Sequence, residues 1–146
     1  MGPLGTGKTL LMNLISDMGK LKDEHQHYFP IYHVDFINFC FQREGVVGIN
    51  RFIENYDSDM RSRPQKNICI DELGKENQKV AHYSNNDDVI AMILNGRHRI
   101  REQGVRTHAT TNKDDKMLLE RYTEHLFDRF KEMFVMIAMD GKSRRK

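Results

Sequence analysis

Hydrophobic residues along this chain switch repeatedly between helical and strand-like spacing. Four segments have apolar positions every three or four residues, which predicts helices. They are residues 9–18, 46–56, 85–103 and 113–131. Four other segments are short apolar or alternating runs, which predicts strands. They are residues 31–39, 67–72, 105–111 and 133–139. The alternation of helices with strands is typical of a mainly parallel α/β sheet.

Glycine and asparagine residues indicate where the predicted helices begin and end. Gly19 and Gly104 follow predicted helices at positions where a glycine commonly ends a helix. Asn85 and Asn86 are of the residue type that caps a helix N-terminus, so we expect them to begin the third helix. Three aromatic residues in and beside the first predicted strand have strand-like spacing, which favours a role in the core: Phe36, Phe39 and Phe41.

The composition narrows the class of protein. A chain of 146 residues, 38% hydrophobic and 30% charged, suits one folded domain over residues 1–146. No apolar run approaches the roughly 20 residues of a membrane-spanning helix, and no segment has the layout of a secretory signal. Cys40 and Cys69 are the two cysteines and form no CxxC pair, which argues against a disulfide framework or a thiolate zinc site. We therefore expect a cytoplasmic protein that does not bind membranes.

The small net charge of +2 hides an uneven distribution. Residues 97–146 contain 13 basic and 8 acidic side chains, so this part of the chain is basic and the remainder is acidic. A basic region favours contact with phosphate groups of a nucleic acid or a triphosphate, although a solvated charged face is the alternative. The basic residues concerned are Arg97, Arg99, Arg101, Arg106, Lys142, Arg144, Arg145 and Lys146.

A complete phosphate-binding pattern opens the chain. The pattern G-x-x-x-x-G-K-[ST] is matched by Gly2, Pro3, Leu4, Gly5, Thr6, Gly7, Lys8 and Thr9. Glycines let the backbone wrap closely around phosphate oxygens with its N–H groups turned inward. We expect Lys8 to reach the β- and γ-phosphates and the Thr9 hydroxyl to bind Mg²⁺. The helix that follows would direct its positive N-terminal end at the same anion.

Two adjacent carboxylates end the predicted strand 67–72. Phosphoryl transfer needs a carboxylate for Mg²⁺ and usually a group that orients the attacking water. Asp71 is the expected metal ligand and Glu72 the expected water-orienting residue. Solvated acids at a strand end are the alternative. The apolar run before them would bury the strand and leave only its tip at the site.

These motifs resemble those of the AAA+ ATPases, and among them the DnaC/IstB-like group of helicase loaders and transposition helpers. GPLGTGKT is similar to their Walker A motif and ICIDE to their Walker B motif. The resemblance covers nearly the whole chain. It implies a three-layer P-loop α/β fold with a mainly parallel sheet, and hydrolysis of ATP with Mg²⁺.

Shorter similarities imply further roles. The strand VRTHATTN ends in Asn112, where this group carries the sensor 1 residue; capping of the next helix is the alternative role. ERYTEHLFDRF is similar to the segment with the arginine finger, which implies Arg129, with Arg121 as second choice. A helical ion pair of Arg129 with Glu124 or Glu132 is the alternative. The terminal GKSRR is similar to a sensor 2 motif, which implies that Arg145, or Arg144, contacts the nucleotide.

The resemblance also implies partners and a departure from the family pattern. The partners are single-stranded DNA, a replicative helicase or a transposase, and further copies of the chain in a homo-oligomer. AAA+ proteins have a hydrophobic strand before the phosphate loop, and this chain begins one residue before Gly2. The sequence is therefore interpreted as an N-terminally truncated ATPase core without that first strand. Two alternatives from other classes are a small-molecule P-loop kinase and a nucleotide- or DNA-binding fragment that does not hydrolyse ATP.

Overall fold

The computed structural model describes residues 1–21, 27–54, 67–76, 80–82, 85–141 and 143. Within these residues the chain forms helices and strands in the order α1, β1, α2, β2, β3, β4, α3, β5, α4 and α5. Their bounds are α1 Lys8–Leu21, β1 Ile31–His33, α2 Val34–Ile53, β2 Ile68–Leu73, β3 Val80–His82, β4 Asn85–Asp87, α3 Val89–Ile100, β5 Thr107–Thr111, α4 Asp115–Arg121 and α5 Glu124–Met133.

A parallel three-stranded sheet lies at the centre of the fold, in the order β1-β2-β5. Ile31 pairs with Cys69 on one side of β2, and Ile70 pairs with Ala109 on the other. The first four residues of β2 are buried, as expected of a central strand that is covered on both faces. The α/β fold with a parallel sheet flanked by helices is confirmed.

Helices and aromatic side chains complete the core. α2 packs on β1, β2 and α3, and α3 packs on α5. The largest fully buried side chains belong to four phenylalanines, which are Phe29, Phe41, Phe52 and Phe130. Cys69 is buried in β2, and its burial raises the pKa of the thiol to about 12, so it acts as a small apolar residue. Among the described residues, no helix is sufficiently long and hydrophobic to cross a bilayer.

The predicted strand 31–39 is wrong beyond its third residue. The strand ends at His33, and α2 begins at Val34. The His33 ring caps this helix, since its Nδ1 accepts a hydrogen bond of 3.1 Å from the backbone N–H of Asp35. The predicted core role holds for Phe41, which is 1% exposed, but Phe36 and Phe39 are 48% and 49% exposed.

The helix predicted over residues 46–56 is not separate, because residues 46–53 form the C-terminal part of α2. Helix α2 runs through a kink at Gly45, whose φ of 62° and ψ of −145° are not helical, and it ends at Ile53. Residue 56 lies outside the described residues. A glycine suits the kink because a side chain disfavours this positive φ.

The helix predicted over 85–103 begins later than expected. Residues 80–82 and 85–87 pair as two antiparallel strands that the sequence did not indicate. Asp88, rather than Asn85 or Asn86, caps α3 by accepting from the N–H of Ala91. The predicted end at Gly104 is confirmed, with a left-handed φ of 81° after a short 3-10 turn.

The helix predicted over 113–131 is two helices. α4 ends at Arg121, and α5 starts after Thr123, whose side chain accepts from the N–H of Leu126. Tyr122 between them is extended and buried. The helix is interrupted between α4 and α5 because Thr123 caps the start of a second helix and the Tyr122 side chain is buried in the core.

The strand predicted over 133–139 is not formed among the described residues. Met133 belongs to α5, and the following residues have no strand assignment. Their backbone meets the chain start: the Met1 amino group donates to the Ile137 carbonyl at 2.5 Å, and Met139 donates to the Met1 carbonyl at 2.7 Å. A cavity of about 570 Å³ lies between this segment and β5. Within the part of the chain that the structure describes, no strand lies beside this segment to form a ladder with it.

The first helix does not end at Gly19 as the sequence predicts, because α1 continues to Leu21. This glycine is buried, and a Cβ built on it would come within 2.9 Å of the His27 backbone. Its absent side chain therefore permits a close approach of the chain.

Gly48 gives a stability prediction for the kinked helix. Alanine normally favours a helix interior by about 1 kcal/mol over glycine. A Cβ at Gly48 would lie 2.4 Å from the Cys40 carbonyl oxygen, across the kink. We therefore expect Gly48→Ala to lower the free energy of unfolding by about 1–3 kcal/mol in urea denaturation. Val47→Ala, at the exposed neighbouring position, is the control and should change it by less than about 0.5 kcal/mol. A stabilised Gly48→Ala variant would contradict the prediction.

Candidate functional site

The loop formed by residues 2–7 turns tightly into the N-terminus of α1. Gly5 and Gly7 have φ values of 80° and 92°, in the region that side chains disfavour. The Thr6 hydroxyl donates to the Pro3 carbonyl at 2.9 Å. The Lys8 ammonium donates to the carbonyls of Gly2 and Pro3 at 2.6 and 2.8 Å, so its charge lies at the centre of the loop.

The C-terminal part of the described chain packs against this loop. A Cβ on Gly5 would lie 2.2 Å from the Ser143 hydroxyl oxygen, and one on Gly2 would lie 2.2 Å from the Met139 carbonyl oxygen. Close packing therefore disfavours a side chain at both glycines, and so do their positive φ values, which are 150° at Gly2 and 80° at Gly5. The proposed sensor 2 residues Arg144 and Arg145 follow Ser143 directly and lie outside the described residues.

Asp71 joins the loop to the sheet. Its carboxylate accepts hydrogen bonds from the Thr9 hydroxyl at 2.9 Å and from the Thr110 hydroxyl at 2.5 Å. The residue is buried, with 7% of its surface exposed. A hydroxyl and a carboxylate oxygen side by side form the oxygen-rich type of site that suits Mg²⁺. The residues present therefore fit the metal predicted for Thr9 and Asp71.

Glu72 has an unusual backbone and a restrained side chain. Its φ is 63°, and it is the non-glycine residue with a positive φ among those described. Its N–H donates to the Thr110 hydroxyl oxygen at 3.0 Å. Its carboxylate contacts Lys75 Nζ at 2.5 Å and His33 Nε2 at 2.8 Å. Hydrogen bonds from Lys75 and His33 lower the pKa of Glu72, which keeps it ionised.

Three of the four predicted catalytic residues, Lys8, Glu72 and Asn112, line one cavity. A cleft of about 280 Å³ is lined by the loop, Glu72, Thr110 and Asn112. Asn112 does not cap the next helix, because Asp114 does so by accepting from the N–H of Met117 at 2.8 Å. The capping alternative for Asn112 is therefore wrong. A glycine-containing loop at a helix N-terminus, a lysine, a hydroxyl and the carboxylates of Glu72 and the adjacent Asp71 together suit a polyphosphate with a divalent cation.

Comparison with known proteins agrees with this geometry. The family model for the ATPase family associated with various cellular activities (AAA) matches residues 1–136. The chain belongs to the AAA ATPases. No curated protein matches it significantly. AAA ATPases bind ATP, generally with Mg²⁺, and hydrolyse it, so the family supports ATP binding and a general ATPase function for this chain.

The two candidates for an arginine finger, Arg129 and Arg121, do not line the cleft that contains Lys8, Glu72 and Asn112, which we call the phosphate cleft. Arg129 lies on α5, where its guanidinium donates to the Asn95 side chain on α3. The alternative partner Glu132 pairs with His98 and Arg101. Arg121, the second choice for an arginine finger, forms ion pairs with Glu76 and Asp88 and has a side chain only 9% exposed. Its charge is already neutralised within this fold.

The basic region is less available for nucleic acid than the sequence suggested. Arg97 is buried and donates to the carbonyls of Phe52 and Arg106, both at 2.9 Å, and to the Thr107 hydroxyl. Burial lowers its pKa to about 10. It therefore ties α3 to the ends of α2 and β5. Arg99 and Arg106 are exposed in the same region.

Thr110 and His33 are site residues that the sequence analysis missed. Thr110 bridges the two carboxylate residues, yet its position depends on the register of β5 against β2. His33 contacts Glu72 from the end of β1. The signal for His33 was present, since Asp35 two residues later is typical of the first turn of a helix. Had the predicted strand been ended at residue 33 instead of 39, His33 would have been predicted to lie at the carboxyl edge of the sheet.

Thr110 gives a prediction for turnover in this AAA ATPase. Thr110→Val keeps the shape but removes the hydroxyl that holds Asp71 and the Glu72 N–H. We expect kcat for ATP to fall about tenfold or more and the free energy of unfolding to fall by about 1–3 kcal/mol. Steady-state phosphate release and urea denaturation measure the two effects. Thr110→Ser retains the hydroxyl and should keep most of the turnover; equal kcat for the valine variant and wild type would contradict the assignment.

Proposed function

We propose that this AAA ATPase is a Mg²⁺-dependent ATPase of the DnaC/IstB-like group, acting as a helicase loader in DNA replication. The observation that carries the catalytic part is the single cleft lined by Lys8, Thr9, Glu72 and Asn112. The subgroup rests on the similarity of the segments that contain Asn112, Arg129 and Arg145. Action as a transposition helper is the alternative within the same group.

The proposed mechanism assigns one task to each residue. Lys8 and the backbone N–H groups of residues 5–9 bind the β- and γ-phosphates. Thr9 and Asp71 hold Mg²⁺, which when bound would neutralise charge on the phosphate oxygens. Glu72 accepts a hydrogen bond from the attacking water and orients it. Asn112 holds a γ-phosphate oxygen by its side-chain amide.

The remaining roles require an assembled protein. Arg129 would donate its charge to the transition state in the cleft of a neighbouring copy, so turnover would depend on assembly into a homo-oligomer. Its position on α5, outside the lining of the phosphate cleft, supports action on another copy. Arg145 would contact the nucleotide from the segment that follows Ser143. Single-stranded DNA would meet exposed basic residues such as Arg99 and Arg106.

The test combines ATP-dependent stabilisation with turnover. Thermal unfolding is measured with and without ATP and Mg²⁺, and phosphate release is measured with and without single-stranded DNA. The proposal expects a higher Tm with ATP and release of free phosphate that rises with DNA and protein concentration. A small-molecule kinase would instead need an acceptor, and a non-hydrolysing fragment would bind DNA in a salt-dependent way without turnover. A cooperative melt with neither ATP stabilisation nor turnover would reject the proposed activity.

The choice of biological partner needs a separate experiment. Co-sedimentation in the presence of ATP is measured with the replicative helicase, and with the transposase, of the cell that carries this protein. Binding to the helicase and ATP-dependent transfer of it onto single-stranded DNA support the loader. Binding to the transposase alone supports the transposition helper.

A further inference from the structure

A buried group of side chains connects the chain after Glu72 to helices α3 and α4. Glu76 is at its centre, with a side chain only 1% exposed. One carboxylate oxygen, Oε2, accepts the N–H of Gly74 at 2.8 Å. The other, Oε1, contacts Arg121 Nη2 at 3.1 Å and accepts the hydroxyl of Tyr122. Arg121 also donates to Asp88 Oδ2 at 2.6 Å, at the N-terminus of α3.

Both oxygens of Glu76 are therefore used, each by a different part of the fold. A buried carboxylate is costly unless charge and hydrogen bonds compensate it, so such an arrangement requires Arg121 and Tyr122 together. Burial, with the Glu76 carboxylate beside it, raises the pKa of Tyr122, so the hydroxyl stays protonated and remains a donor. The proposed division of labour in the cleft uses none of these three side chains.

The anchored turn begins at the catalytic glutamate itself. The N–H of Lys75 donates to the Glu72 carbonyl at 3.1 Å, which closes a turn over residues 72–75. Within it Glu72 and Gly74 both have positive φ values, 63° and 88°. A Cβ on Gly74 would lie 3.0 Å from the Lys113 side chain and 3.2 Å from Leu118. The turn is thus packed on one side by α4 and held on the other by Glu76.

We propose that Glu76 is a positioning residue that sets the orientation of Glu72 in the phosphate cleft by fixing Gly74 from the α3–α4 side. This inference rests on the proposed role of Glu72 in hydrolysis. A left-handed backbone at a non-glycine residue persists only where its surroundings enforce it. Glu76 supplies such a constraint, because its carboxylate holds the N–H of Gly74 within the turn that begins at Glu72. Through Arg121, the last residue of α4, the constraint extends to the junction with α5, the helix that carries Arg129.

Glu76→Gln is the sharpest test because glutamine keeps the shape but has only one acceptor oxygen. It can serve Gly74 or the Arg121 and Tyr122 pair, and its amide then opposes a donor on the other side. We expect kcat for ATP to fall about ten- to a hundredfold, while the Kd for ATP with Mg²⁺ changes less than about twofold. Hydrogen exchange at the Gly74 amide should accelerate in the same variant. All rates are measured well below the Tm of the least stable variant.

Two further variants separate positioning from a purely structural role. Glu44→Gln is the matched control, because it also removes a carboxylate that pairs with an arginine, Arg51, but on the exposed side of α2. Its kcat and its Gly74 exchange should equal those of wild type. Tyr122→Phe removes a single donor to Glu76 and should lower kcat a few-fold with unchanged Kd.

Each outcome decides the matter. A folded Glu76→Gln variant with wild-type kcat overturns the inference, as does a loss of kcat that merely follows the folded fraction. If Glu76→Gln does not fold, wild-type kcat and exchange in Tyr122→Phe overturn it. Absence of turnover in wild type and in Glu44→Gln rejects the proposed function itself, and the inference falls with it. Turnover in wild type with a selective loss of kcat in Glu76→Gln and Tyr122→Phe supports both.

Discussion

Replacing Glu72 with glutamine is expected to stop ATP turnover while leaving ATP binding intact. Glutamine keeps the size of the side chain but cannot accept a proton or polarise water as a carboxylate does. A positioned general base contributes about 10²–10⁴-fold to a rate, so phosphate release should fall by at least about a hundredfold. Binding should be equal or tighter, since an anion is removed from the cleft that would receive phosphates. The rise of Tm with ATP and Mg²⁺ measures binding, and steady-state phosphate release measures turnover.

A matched control for Glu72 is available on the surface. Glu102, with a side chain 84% exposed after α3, is replaced in the same way. Glu102→Gln should match wild type in both measurements. Wild-type phosphate release from Glu72→Gln would contradict the assignment and direct attention to another carboxylate. Loss of ATP-dependent stabilisation together with turnover would show that Glu72 acts in binding instead.

The sheet could be predicted because its strands carry their own signals. β2 is a continuous apolar run ending in two acids, and it lies between two neighbours as such a run requires. β5 follows Gly104, which ends the preceding helix with a left-handed backbone. Gly2 to Thr9 and Asp71-Glu72 were also accessible, since each motif is contiguous. Local chemistry was sufficient in these cases.

Boundaries between elements depended on contacts that the sequence does not display. In the segment from Ile31 to Phe41, apolar residues occupy almost every second or third position, which fits a strand and a helix equally. Residues from 34 onward form a helix rather than a strand because Val34, Ile37 and Phe41 then lie on one helical face and are buried in the core. The strand predicted over 133–139 does not form, and the reason is its surroundings rather than its own sequence. It is apolar, but a strand exists only where a neighbouring backbone completes its hydrogen bonds.

The parts of the site that escaped prediction are those that depend on register or burial. Thr110 reaches Asp71 because Ala109 pairs with Ile70, a register that no local pattern specifies. Arg97 is predicted to belong to a basic region and Arg121 is the second choice for an arginine finger, yet both have partners inside the fold. Counting basic residues along the chain therefore overestimates the basic surface of the fold. Short motifs are informative where the backbone itself makes the site, as in residues 2–9.

Replacing Lys8 with alanine is expected to remove ATP-dependent stabilisation altogether. Hydrogen bonds that involve a charged group contribute about 1.5–3 kcal/mol each, so loss of the contacts to two phosphates should weaken ATP binding by about a hundredfold or more. The stability of the ATP-free protein should change by less than about 1 kcal/mol, because two effects oppose each other. The variant loses the hydrogen bonds of Lys8 to Gly2 and Pro3, but it also removes a cation from the positive end of α1. Thermal unfolding with and without ATP and Mg²⁺ measures both quantities.

Lys20 provides the comparison on the same helix. It lies in the last turn of α1, where it pairs with Asp17 in solvent, and Lys20→Ala should retain the full ATP-dependent rise in Tm. An unchanged ATP response in Lys8→Ala would mean that the loop does not bind phosphate through this side chain, and the AAA motif would then serve only the fold. A lost ATP response with preserved ATP-free stability is the result that the geometry of residues 2–9 predicts, since the lysine is held by the loop without being needed to form it.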